Sequence, residues 1–110
     1  MPVIQVEQSI AAGGNSANLV AGSAFEFART RSIVSMGWLQ AATGMFMTLQ
    51  GGADIIAEEF SPAIATRYPI IPDEMYYTDV LEASDRLVAR IRNPTGGAII
   101  VRGIVQMSAV

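Results

Sequence analysis

The sequence predicts an all-β domain of eight or nine short antiparallel strands, a sandwich or a barrel. Three observations point there. Short runs rich in β-branched and aromatic residues recur at close spacing over a chain of 110 residues, which is one domain at most. Three Gly-Gly pairs, at 13–14, 51–52 and 96–97, punctuate those runs where a turn needs a backbone that tolerates positive φ. Several runs alternate apolar with polar, the period-2 signature of a half-buried strand.

Taken in order, "VIQVEQ" (3–8) sets Ile4 and Val6 against Gln5 and Glu7. "AFEFAR" (24–29) places Phe25 and Phe27 on one side of a strand and Glu26 on the other. "SIVSMGW" (32–38) and "GMFMTLQ" (44–50) are more uniformly apolar, as expected of strands covered on both faces. "ADIIAEEF" (53–60) follows. Residues 61–75 hold Pro62, Pro69 and Pro72 and read as a long irregular crossover. "YYTDVLEA" (76–83), "RLVARIR" (86–92) and "AIIVRGIVQMSA" (98–109) complete the set. Residues 78–92 also fit helical spacing, with Glu82 and Arg86 as an i,i+4 pair. The polar turn in "ASDRL" favours two strands, and "NPTGG" reads as a hairpin connection between 86–92 and the following arm.

Composition bounds the function. Hydrophobic residues make up 51% and charged residues only 15%, against about 25% charged in an ordinary soluble domain. So small a chain has little interior in which to hide that surface, so part of it is expected to lie against other protein. The net charge is −3 and the pI about 4.7, which disfavours nucleic-acid binding. No apolar run is long enough for a transmembrane helix, and "MPVIQVEQ" lacks the basic and apolar regions of a secretory signal.

The chain has no Cys, His or Lys. Thiolate and imidazole metal sites, Ser-His-Asp and Cys-His nucleophile systems, and Schiff-base chemistry all lack their essential residue. The adjacent pair Glu58-Glu59 would point to opposite faces of a strand and so could not share a substrate. A calcium site drawn from Asp54, Glu58, Asp73 or Glu74 would need only oxygen ligands, but no EF-hand spacing is present. The expectation is no enzyme, no cofactor and no metal.

All seven cations are therefore arginines. Strand alternation puts Arg86, Arg90 and Arg92 on one face, and Arg102 on the paired return arm is expected to join them. Like charges side by side need counter-charges. Glu82, Asp85 and Asp79 are near in sequence, and carboxylates of a neighbouring subunit suit the planar guanidinium fork. Trp38 is expected in a core or an interface, with an exposed sugar platform as the alternative. Met36, Met45 and Met47 are expected to fill core gaps. Tyr76 and Tyr77 should face opposite ways. The candidate interface residues are thus Arg86, Arg90, Arg92, Arg102, Trp38, Tyr76 and Tyr77.

The segment "RLVARIRNPTGGAIIVRGIVQ" resembles the closing hairpin of small jelly-roll proteins that decorate bacteriophage heads, the cement or decoration proteins. Upstream, "DIIAEEFSPAIATRYPIIPDEMYYTDVLEASDRL" is similar to virion jelly-roll sequence, with short strands, a proline-rich crossover and a polar turn. The resemblance covers residues 50–110 and implies a jelly-roll β-sandwich, a homotrimer, and attachment to the major capsid protein on the outside of a phage head assembled in the host cytoplasm. The alternatives are another virion component, such as a small capsid, spike-base or tail protein, and a carbohydrate-binding module.

Overall fold

The computed structural model describes residues 3–71 and 73–109. Eight strands form in chain order: β1 (Val3–Ile10), β2 (Ser32–Gln40), β3 (Phe46–Gly51), β4 (Asp54–Phe60), β5 (Ala63–Ile64), β6 (Tyr77–Leu81), β7 (Leu87–Arg92) and β8 (Ile99–Ala109). No helix occurs among the described residues, so 78–92 is two strands, separated by a turn in which Ser84 takes φ 74°. The strands make two packed sheets. In the first, β8 lies between β1 and β2, and β6 and β5 share the far side of β2. In the second the order is β4-β3-β7.

The expected hairpin between β7 and β8 does not exist: β7 pairs with β3, and β8 with β1 and β2. The 93–98 connection instead crosses from one sheet to the other. Asn93, fully buried, holds that crossing by donating to the carbonyls of Ile10 (3.0 Å) and Gly97 (2.8 Å).

A second departure is at 24–29, which is not a strand. Residues 14–28 run irregularly along β7, touching it by single bridges at Asn15 and Phe27. Backbone bonds tie Ser16 to Ile91, Leu19 to Ala89 and Glu26 to Leu87. Between them the Asn18 carboxamide stands in for a peptide group: it donates to the Leu87 carbonyl (2.9 Å) and accepts from the Ala89 N–H (2.9 Å). Because the chain turns here, Phe25 and Phe27 do not share a side. Phe25 is buried and Phe27 exposed.

With this segment counted as the missing edge of the second sheet, the sheet orders are β1-β8-β2-β6 and segment-β7-β3-β4, and every connection crosses between the sheets except those joining β3 to β4 and β5 to β6. That is jelly-roll topology. One pairing breaks the antiparallel rule: the two residues of β5, inside the predicted crossover, run parallel to β2.

The core lies between the sheets. Val34, Met36 and Trp38 of β2 and Val101, Val105 and Met107 of β8 face Met47 and Leu49 of β3 and Leu87, Ala89 and Ile91 of β7. Met36, Met45 and Met47 are all fully buried, as gap-filling side chains should be. Trp38 is buried because its cross-strand partner is Gly103: a Cβ there would sit 2.2 Å from the indole. Glycine thus opens the space in which the largest side chain crosses β8.

Candidate interaction surfaces

Arg86, Arg90 and Arg92 alternate with the buried Leu87, Ala89 and Ile91, so the three do occupy the outer side of β7. Arg102 does not join them. It lies on β8, in the other sheet, beside Glu7 of β1, and its Nε donates to Glu7 Oε2 at 2.8 Å. The error follows from the missing hairpin, since the expected grouping assumed that β7 and β8 pair.

The counter-charges come from far along the chain. Arg86 donates from Nε to Glu26 Oε2 (3.0 Å), and its guanidinium lies 5.9 Å from the Phe27 ring. The Gly22 N–H, and then Arg86, lower the Glu26 pKa. Arg92 donates from Nε to both Glu59 oxygens (3.0 and 3.1 Å) and stacks 4.6 Å over Phe46. The sequence neighbours do other work. Glu82 pairs with Arg31 at 3.2 Å, Asp85 accepts the Glu82 N–H, and Asp79 accepts the Val80 N–H.

A bulge brings Glu59 to Arg92. Glu58 and Glu59 together oppose Thr48, and Glu59 adopts φ 49° while its N–H reaches Thr48 Oγ1 (3.3 Å). Both glutamates are therefore exposed, where regular alternation would have hidden one. Arg90 has no carboxylate within salt-bridge distance among the described residues. It lines a shallow cleft of about 190 Å³ with Phe46, Thr48, Glu59 and Arg92.

On the opposite face, the crossover between β5 and β6 folds over the outside of the first sheet. It covers Gly37, where a Cβ would meet the Glu74 carbonyl at 2.5 Å, and neighbouring Leu39 and Ile104 are buried although they point away from the core between the sheets. The crossover is pinned by one carboxylate. Glu74 accepts from both terminal nitrogens of Arg67, the Nη2 bond being 2.9 Å, and from the Ile70 N–H at 2.7 Å. Arg67 first, and then the Ile70 N–H, hold the Glu74 pKa down at about 2, while Glu74 raises that of Arg67.

This connection and the end of β5 present apolar side chains to solvent: Ile64 of β5, and Ile70, Ile71 and Tyr76 of the connection, the last 66% exposed. Sequence reasoning did not select the isoleucines, although "YPIIPDE" carried the signal of two large apolar residues in a proline-bounded loop. Pro72, part of the predicted crossover, lies outside the described residues.

The tyrosines divide as expected. Tyr77 packs on Phe60 with ring centroids 4.5 Å apart, and burial raises its pKa. Trp38 is 3% exposed and offers no platform; its indole N–H has no hydrogen-bond partner among the described residues. Gln40, Asn18 and Asn93, buried amides that sequence reasoning passed over, serve the fold. Gln40 donates to Ser61 Oγ and the Pro62 carbonyl and accepts from the Met45 N–H.

Among the described residues no three acidic side chains gather closely enough to hold a metal ion, and Glu74, one of the calcium candidates, is engaged by Arg67. No helix among them is long and apolar enough to cross a membrane. Comparison with protein-family models, curated proteins and solved structures finds no match to this chain.

Proposed function

We propose that this chain is a virion structural protein, a decoration protein that binds the major capsid protein on the outer surface of a phage head and stabilises the shell as a homotrimer. Its action is mass action rather than catalysis: a protein that binds only the assembled shell stabilises that state. The observation that carries this reading is the pinned crossover, which holds Ile70, Ile71 and Tyr76 outward on a rigid sandwich. Large apolar side chains fixed in the open are suited to anchoring in a partner's pockets. The jelly-roll topology and the low charge content agree with it. The sugar-binding alternative loses its main support with Trp38 buried.

The test is co-sedimentation with phage heads that lack their decoration protein. Wild type should bind and raise the temperature at which heads rupture. The double variant I70D/Y76D should bind about 30-fold more weakly, the effect of losing about 2 kcal/mol at an interface anchor, with its own melting temperature nearly unchanged. Failure of wild type to bind any head, or equal binding by the variant, overturns the reading.

A further inference from the structure

A sheet edge exposes unpaired N–H and C=O groups that another strand can bond, and proteins ordinarily blunt such edges. Here three edges are blunted. β4 carries two register shifts against β3, a left-handed residue at Glu59 and three acids, Asp54, Glu58 and Glu59. β6 is five residues long, and the Asp79 side chain occupies the Val80 N–H. The 14–28 segment is too irregular to template a strand.

β1 differs on every count. Its eight residues pair with β8 in unbroken register, and it contains a single charge, Glu7, already engaged by Arg102. Among the described residues, no backbone group of Val3–Ser9 bonds to anything but β8. Ile4 and Val6 face the core yet are only half-buried, and Val3 is exposed on the outer face. An open ladder flanked by half-covered apolar side chains specifies its occupant chemically: another extended strand with alternating apolar residues.

We infer that β1 pairs antiparallel with β1 of a second copy of this chain about a two-fold axis, joining two first sheets into one. The axis that keeps the core faces aligned pairs residues whose numbers sum to an even value. A register centred on Glu7 would set two glutamates opposite each other, which is unfavourable. Centring on Val6 pairs all of Val3–Ser9, sets Val6 against Val6 and places Gln5 against Glu7 of the other copy. A contact of seven residues buries less than the ~1,200 Å² of a standard interface, so in free solution it is weak, in the micromolar-to-millimolar range. Copies held side by side reach millimolar effective concentration, where such a contact closes. Being two-fold, it is separate from any three-fold contact. It rests on the ladder alone and not on the identity of the proposed capsid partner.

The experiment is amide hydrogen exchange, resolved by NMR, on wild type and on two substitutions at the exposed Gln5, from about 20 μM to 2 mM. Alternate amides of Val3–Ser9 should exchange more slowly as concentration rises. Gln5→Glu, which faces Glu7 of the other copy twice across the axis, should weaken the association about 3- to 10-fold, and Gln5→Arg should strengthen it by a similar factor. Thermal melts of dilute samples should show all three folded. Exchange in β1 that ignores concentration overturns the inference, whatever oligomer sedimentation reveals. So does the same response from Gln5→Glu and Gln5→Arg. Head binding without β1 protection would leave the decoration reading standing alone, and β1 protection without head binding the reverse.

Discussion

The two long sides of this sandwich are built differently. On the β4–β6 side the sheets are stitched by side chains: Phe60 stacks on Tyr77, and Leu81, fully buried, fills the space left by Gly51, where a Cβ would sit 2.4 Å from the leucine. The strand edges there are bulged, short or acidic. On the β1 side Ile4 and Val6 are half-buried, the ladder runs regularly to its end, and an irregular segment stands where the facing strand of a jelly roll would be. The difference teaches that closure and protection go together. The side that satisfies its own core also refuses new strands, and the side that leaves its core partly open still offers a template for one.

The strongest way to break this contrast is through burial. Leu81→Ala should destabilise the chain by about 2–5 kcal/mol, and Ile4→Ala by about 1 kcal/mol, in chemical denaturation at low concentration. Equal losses would mean that the β1 side is closed after all. A double-mutant cycle on Phe60 and Tyr77 should return a coupling of about 0.5–1.5 kcal/mol, while a cycle on Ile4 and Tyr77 should return none. The arginines give a smaller effect. Arg92→Ala should cost under about 1 kcal/mol, because both it and Glu59 are about half exposed and their attraction is screened. Arg90→Ala should leave the melting temperature unchanged.

The smallest effect sharpens the comparison from the crossover. Glu74 has its pKa depressed to about 2, so the stabilisation its clamp supplies is complete above the ordinary glutamate range near 4.5 and is lost as pH falls through about 2. A carboxyl-carbon NMR titration should place its midpoint near 2, and Arg67→Gln should move that midpoint upward.

Much of the fold was legible because strands announce themselves locally. Alternation marked β1 and β7, apolar runs marked β2, β3 and β8, and the proline cluster marked the crossover. What failed was everything set by partners distant in the chain. "NPTGG" has hairpin chemistry, yet whether its flanking strands pair or part depends on which sheet already holds β3. Arg86, Arg92 and Arg102 find Glu26, Glu59 and Glu7 through sheet register, not through nearness in sequence. "AFEFAR" had the right period, but backbone bonds of Glu26 to Ser23 and of Ala28 to Asp85 turn the chain there. The buried amides of Asn18, Gln40 and Asn93 could have been suspected, since each stands beside an apolar run, but their partners could not.

The position of β8 has a kinetic consequence. It sits between β1 and β2, yet nearly the whole described chain separates it from β1. During synthesis β1 and β2 emerge first and then wait, with no neighbour to share between them. The second sheet can form earlier, because β3 and β4 are adjacent in sequence and β7 follows after a single excursion of the chain through β5 and β6. Contacts of such long sequence separation are slow to close, and the all-β chains that depend on them fold in milliseconds to seconds. For that interval β1 has both edges open and β2 has open the edge away from β5 and β6, so the first sheet is where misassembly competes with folding.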